Sequence, residues 1–198
     1  MLDMMHRRAV LLGLPLALAG CAGVSVRASE EAVRGAVYRD PGPTMLSLIT
    51  VKNEGNGDGA HTALLIAASE RAMFDPYGGW TDPYVPERDD VLHGMTPTAL
   101  ERYLAYQAKD GYYYTRQDKA VSAQVAEAAL GHAKGYGAVG MAQCTLAVSD
   151  VLMRLPGFEA IDRSLFPDRL QARFARLPGI VTTEVHGAPR DPGPAEAG

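Results

Sequence analysis

The feature that most constrains the fold is a glycine-rich turn segment between two apolar runs. Residues 53–59 read Asn-Glu-Gly-Asn-Gly-Asp-Gly, which is typical of a chain reversal because glycine and asparagine tolerate a positive φ. The β-branched run 45–51 precedes this turn, and the apolar run 61–67 follows it. A second turn leads to a third run, 71–75. The pattern predicts three antiparallel strands in a meander, with His61 at the start of the middle strand.

Helical patterns dominate the rest of the chain. Thr96-Pro97 is typical of a helix start, because threonine caps the first turn and proline fits the first helical position. Gly111 and Gly135 follow helical runs and indicate where two helices end. Helices are predicted from Pro97 to Gly111, from Ser122 to about Ala133, over 142–155 and over 167–176, the last capped by Ser164. Strands are predicted at 112–115 and 180–185, with an irregular loop over 80–90. These elements together predict an α+β domain.

The N-terminus has the pattern of an export signal. A basic His-Arg-Arg stretch precedes the apolar run 9–18, which is too short for a transmembrane helix of about 20 residues. Small residues then lead to Cys21, and the ending Leu-Ala-Gly-Cys resembles the bacterial lipobox. The resemblance implies that residues 1–21 are a lipoprotein signal and that Cys21 is lipidated. Ala22 replaces the aspartate that marks inner-membrane retention, so we expect a periplasm-facing protein on the outer membrane.

The remaining chain is predicted to hold one folded domain. A polar linker is expected over 22–43, a single globular domain over 44–186 and a disordered tail over 187–198. The net charge of −4 and the lack of a basic run argue against nucleic-acid partners. The histidines lack the spacing of a metal site, so neither metal nor cofactor is expected. The oligomeric state is left open.

Cys144 has no disulfide partner if Cys21 carries lipid. An unpaired thiol in an oxidising compartment requires a reason, either catalysis or simple burial. The spacing places Cys144 in the first turn of the predicted helix, on the stripe that continues to Val151 and Leu155. Free N–H groups at a helix start lower the pKa of a thiol below about 8.5 and can hold an oxyanion.

A thiol nucleophile needs a base, and His61 fits that role best. It begins an apolar strand directly after the glycine-rich turn, where its side chain can point out of the sheet end. A histidine that only hydrogen-bonds to backbone is the structural alternative. The other histidines fit less well: His6 lies in the signal, His93 just before a helix, His132 near a helix end and His186 in the tail.

These motifs resemble the NlpC-like, papain-fold cysteine peptidases and amidases. Residues 59–66 followed by 74–78 are similar to the histidine hairpin of that family, and Gln143-Cys144-Thr145 to its nucleophile site. Because His61 precedes Cys144, the order is similar to the circularly permuted branch that includes lecithin–retinol acyltransferase-like proteins. The resemblance covers about residues 46–156. Gln143 departs from it, since ordinary members often have aspartate or asparagine there.

The resemblance implies a papain-like antiparallel sheet packed against the cysteine helix. It also implies Cys144 as nucleophile, His61 as base and a polar residue on the next strand as third member. Asp75 is the natural candidate. A hairpin loop centred near Ala68 would pair Asp75 with His61, whereas a two-residue turn at 69–70 would pair it with Leu64.

The implied activity is hydrolysis of amide or peptide bonds, with cell-wall peptides as the nearest abundant substrate. A permuted relative could instead act on lipid esters or thioesters as an acyltransferase or thioesterase. A third reading is a non-enzymatic envelope lipoprotein that keeps the domain for binding. The sequence leaves these alternatives open.

Overall fold

The computed structural model describes residues 26–187. The predicted signal at 1–21, the lipidation of Cys21 and nearly all of the predicted tail lie outside the described residues. No helix within 26–187 is long and apolar enough to cross a bilayer.

Seven strands form one antiparallel sheet, and five helices accompany it in the described part of the chain. The prediction of an α+β domain is therefore confirmed. The sheet order is β4-β5-β3-β2-β1-β6-β7. The elements are α1 (Glu30–Ala36), β1 (Met45–Asn53), β2 (Gly59–Ala67), β3 (Arg71–Phe74), β4 (Glu87–Arg88), β5 (Val91–Leu92), α2 (Pro97–Gln107), β6 (Tyr112–Ala120), α3 (Ala123–Lys134), α4 (Cys144–Leu152), α5 (Pro167–Phe174) and β7 (Ile180–His186).

The predicted meander is present as β1, β2 and β3. The pairing register of β2 with β3 differs from both registers that the sequence predicts. Leu64 pairs with Phe74 and Ala67 with Arg71, so the hairpin closes through residues 68–70. Both the pairing of His61 with Asp75 and the pairing of Leu64 with Asp75 are therefore wrong. A loop one residue longer than a two-residue turn shifts the pairing by one position.

One face of the sheet is covered by the C-terminal helices. Leu48, Leu64 and Phe74 point from the three central strands into a cluster that includes Val148 of α4 and Phe174 of α5. Each such side chain, fully removed from water, stabilises the fold by about 1.5–3 kcal/mol. This cluster fixes α4 against β2.

The opposite face carries a second apolar cluster. Leu65 and Met73, which alternate with residues of the first cluster, meet Leu100 and Tyr103 of α2. Trp80 packs edge-on against Tyr103, with ring centroids 5.4 Å apart. The sheet is thus covered on both faces, and α2 lies on the side opposite α4.

Two segments are more ordered than the sequence pattern indicates. The expected linker contains α1, whose first turn is capped by the Ser29 hydroxyl. No residue of α1 is buried, so it lacks the apolar stripe that reveals a helix in a sequence. The expected loop over 80–90 contains β4, which pairs with β5 through only two residues.

Two C-terminal details also differ. Ser164 does not cap α5; Phe166 occupies the cap position, and the Ser164 hydroxyl binds the backbone of Phe166. His186 is the last residue of β7, where its Nδ1 lies 2.7 Å from a Glu54 carboxylate oxygen. It therefore belongs to the sheet and not to the tail.

Candidate active site

Cys144 is the first residue of α4, at the end of the sheet where β2 begins. The chain enters the helix through Ala142, whose φ of 61° lies in the left-handed region that costs a residue with a side chain about 1–2 kcal/mol. The cap residue, Gln143, accepts no hydrogen bond with its side chain. The first backbone N–H groups of α4 therefore remain available to a ligand.

His61 and Asp75 are hydrogen-bonded, with 2.6 Å between His61 Nε2 and Asp75 Oδ1. Continuing the β2–β3 register by one residue places Asp75 opposite Ala63, on the same face as His61. The two side chains meet as diagonal neighbours, a separation that long side chains can bridge. The predicted contact thus forms through a register that was not predicted.

The Asp75 carboxylate is almost enclosed. Its Oδ1 also accepts a hydrogen bond of 2.9 Å from the hydroxyl of Tyr103, a fully buried residue of α2. Burial and the charge of Asp75 raise the pKa of Tyr103 well above its usual value, so the hydroxyl stays a donor. Gly78 lies against the same carboxylate, and a Cβ there would be 1.8 Å from Asp75 Oδ2. These contacts restrict the position and orientation of the Asp75 side chain.

The electrostatics of His61 favour the protonated ring. Burial alone lowers the pKa of His61. The Asp75 carboxylate and the Cys144 sulfur together raise it by more than burial lowers it, so the net pKa is about 10. Since Nε2 is engaged with Asp75, Nδ1 is left for the thiol. His61 is accordingly an imidazolium across the neutral range when Cys144 is ionised.

The thiol has the complementary shift. Burial raises the pKa of Cys144, but the hydrogen bond and charge of His61 lower it more, with help from the Thr62 backbone and the Thr145 hydroxyl. The net pKa lies below the usual thiol value. Opposite shifts in adjacent groups are typical of an activated nucleophile and its base.

A buried pair of hydroxyls joins the two elements that carry the thiol and the imidazole. Thr62 follows His61 in β2, Thr145 follows Cys144 in α4, and their Oγ1 atoms are 3.0 Å apart. Both threonines are fully buried. Neither this contact nor the hydroxyl contact of Tyr103 with Asp75 is predicted by the sequence pattern. Each residue sits beside a predicted site residue or on the core stripe of a predicted helix, which was the available signal.

An open cavity of about 430 Å³ lies beside His61. Its walls include the turn after Asp75, the last turn of α2 and the start of β6. A larger groove of about 1120 Å³ is lined in part by α2 and shares three lining residues with the cavity. The shared residues are Lys109, Asp110 and Tyr112.

The other histidines of the described chain lie elsewhere. His93 is buried and faces Glu70, with 3.3 Å between His93 Nδ1 and Glu70 Oε2. His186 contacts Glu54 at the edge of the sheet, and His132 is in the last turn of α3. Within residues 26–187, no group of three or more histidine, cysteine or acidic side chains is arranged to hold a metal ion.

Comparison with known proteins returned no match. Neither a protein-family model, nor a curated protein, nor a solved structure matches this chain.

Proposed function

We propose that this chain is a cysteine hydrolase that cleaves amide or peptide bonds, built as a circularly permuted, papain-like domain of the NlpC type. One observation carries the proposal: a half-buried thiol at an uncapped helix start is coupled to an imidazole that a buried carboxylate orients. Those are the three parts that acyl transfer by a thiol requires.

The first half of the reaction transfers the acyl group to Cys144. The thiolate attacks the carbonyl carbon, and the backbone N–H groups at the start of α4 stabilise the oxyanion. Protonated His61 donates its proton to the leaving nitrogen as the C–N bond breaks, which releases the amine. Asp75 holds the ring in the orientation that this transfer needs.

The second half returns the enzyme to its resting state. Neutral His61 takes a proton from water, and the resulting hydroxide attacks the thioester. The C–S bond breaks, the acid is released, and Cys144 leaves as the thiolate beside the imidazolium. No redox step or further group is needed for the balance.

The predicted export signal and the lipid on Cys21 would place this site at the bacterial envelope, with the outer membrane favoured. We therefore propose cell-wall peptides as the first substrate class to test. The larger groove favours a second class, lipid esters or thioesters, because Leu100, Leu104 and Val185 form an apolar part of its lining that an acyl chain can cover. The released group distinguishes the two classes, because a peptide releases an amine, whereas an ester releases an alcohol and a thioester releases a thiol.

The first test is the pH dependence of Cys144 alkylation in the folded, full-length chain. Mass spectrometry of the peptide that contains Cys144 separates it from Cys21. We expect alkylation by iodoacetamide well below pH 8, because the thiol pKa is lowered by His61. His61→Ala should slow alkylation at pH 6–7 by about tenfold or more, the loss expected for a pKa rise of one unit.

His132→Ala is the matched control, since it removes an imidazole outside the site. It should leave the alkylation profile unchanged. The hydrolase proposal would be overturned if Cys144 were alkylated only after the protein is denatured. It would also be overturned if His61→Ala left the alkylation rate unchanged. The remaining interpretation would then be an envelope lipoprotein whose domain serves in binding.

A further inference from the structure

Asp90 is a buried acidic residue that the proposed chemistry does not use. It is the second residue of the two-residue turn between β4 and β5, and 7% of its surface is exposed. Its φ of 64° and the φ of 52° at Asp89 both lie in the left-handed region, which is what a two-residue hairpin turn of type I′ requires at its two central residues. A carboxylate in such a setting needs polar partners.

Asp90 bonds to both halves of the candidate site. Its backbone carbonyl accepts a hydrogen bond of 2.9 Å from the N–H of Asp75. Its Oδ2 accepts one of 3.2 Å from the N–H of Tyr77 and one of 2.9 Å from the N–H of Val139. Tyr77 lies in the turn that follows Asp75, and Val139 lies in the loop that leads to Cys144.

Both segments contain a non-glycine residue with a strained, positive φ. Tyr77 has a φ of 57° and lines the cavity beside His61, and Ala142 has a φ of 61° directly before the cysteine helix. Such conformations persist only where surrounding contacts hold them. A single carboxylate oxygen shared by the two segments supplies one such contact to each.

We propose that Asp90 is a positioning residue that sets the separation between the Cys144 loop and the His61–Asp75 pair. It touches neither the reacting atoms nor the thiol, and it acts through the two backbone segments that it binds. The inference rests on the proposed function only in its consequence for the thiol. The contact itself is independent of what the protein does.

Asp90→Gly is the informative variant. Glycine removes the carboxylate and accepts a φ of 64° without strain, so the turn is preserved. Asp90→Asn keeps one oxygen acceptor and removes the charge, so it separates hydrogen bonding from electrostatics. Asp82→Ala is the control. Asp82 lies in a different loop, where its carboxylate accepts hydrogen bonds from the N–H of Tyr84 and from the Arg102 side chain.

Two measurements on the full-length chain test the proposal, both well below the unfolding temperature. The first is the alkylation profile of Cys144 against pH, and the second is amide hydrogen exchange at Tyr77 and Val139. In Asp90→Gly we expect faster exchange at both amides. We also expect the apparent pKa of the thiol to rise by about one unit, which slows alkylation at pH 6 about tenfold. Asp90→Asn should stay within about twofold of the parent, and Asp82→Ala should match it.

The outcomes separate the two proposals. If the parent thiol depends on His61 but Asp90→Gly keeps the parental pH profile, the positioning role is overturned and the proposed function stands. Unchanged exchange at Tyr77 and Val139 would overturn it as well, since the loops would not depend on the carboxylate. A parent thiol that ignores His61 would overturn the proposed function and, with it, the consequence assigned to Asp90.

Discussion

At the scale of single residues, the candidate site depends on how tightly one carboxylate is held. Asp75 Oδ1 accepts hydrogen bonds from both His61 and Tyr103, and the residue is 4% exposed. A buried carboxylate needs hydrogen-bond donors to replace water, and His61 and Tyr103 supply two of them. The position of Asp75 in turn fixes the ring that faces Cys144.

Gly78→Ala should disturb this position without removing any site residue. A Cβ at Gly78 would lie 1.8 Å from Asp75 Oδ2, so the carboxylate must move and the hydrogen bond to His61 must lengthen. We expect alkylation of Cys144 at pH 6–7 to slow by roughly tenfold, equivalent to about one pKa unit. Alkylation kinetics on the folded protein measure the effect.

Gly131→Ala is the matched control for that change. Gly131 lies inside α3, and a Cβ there meets nothing within 4 Å. Alanine should therefore stabilise the helix by about 1 kcal/mol and leave the thiol unchanged. Equal alkylation rates for the parent and Gly78→Ala would show that Asp75 does not govern the imidazole.

At the scale of elements, the loop of the β2–β3 hairpin is tied to its neighbours by charge. Glu70 in that loop contacts His93, which precedes α2, and Lys134, in the last turn of α3. Burial raises the pKa of Glu70. The contacts with His93 and Lys134 together lower it by more than burial raises it, so the net pKa is about 2. The hairpin is thus connected to α3 and to the segment that precedes α2.

Glu70→Gln tests the resulting acid sensitivity. The folded pKa of about 2 lies below the unfolded value of about 4.5, so this contribution to stability is present above pH 4.5 and is lost as the pH falls toward 2. We expect the parent to be more stable than Glu70→Gln at pH 6 and the difference to shrink by pH 3. Thermal unfolding at the two pH values measures it. Glu101→Gln, an exposed change on α2, should show no such convergence.

At the scale of the whole molecule, the candidate site joins the two layers of the fold. His61 alternates with Thr62 in β2 and shares the face of the α2 cluster, whereas α4 packs in the cluster on the other face. The two meet at the end of the sheet, where β3 stops at Phe74. The state of the imidazole is therefore linked to global unfolding.

His61→Gln should reveal that linkage at alkaline pH. The folded pKa of about 10 lies above the unfolded value of about 6.5, so the stabilisation is fully present below pH 6.5 and is lost as the pH rises toward 10. The parent should exceed His61→Gln in unfolding temperature at pH 6, and the gap should close by pH 10. A gap that stays constant over this range would contradict the assigned shift.

Local pattern was sufficient for most elements of the fold. The site roles of Cys144, His61 and Asp75 stay a prediction, which rests on the family resemblance as well as on local pattern. The turn at 53–59 separates β1 and β2, Ser122 caps α3 as expected, and Cys144 opens α4. These features depend on φ preferences, capping and apolar periodicity, all of which act within a few residues. The short strands β4 and β5 were not predicted, because pairing with neighbouring strands, and not their own sequences, makes them strands.

Turn residues, helix caps and core stripes could be predicted from the sequence, because each depends on side chains that are near one another in the chain. Local pattern placed His61 near a strand start and Cys144 at a helix start, but these two residues are far apart in the chain and only the fold brings them together. The tertiary structure alone decided the β2–β3 register, the donation from Tyr103 to Asp75 and the bonds from Asp90 to Tyr77 and Val139. The Tyr103 and Val139 contacts join segments that are distant in the chain, whereas the hairpin register depends on a loop length that the local sequence pattern left open. Their geometry follows from how the sheet and helices pack, which no local preference encodes.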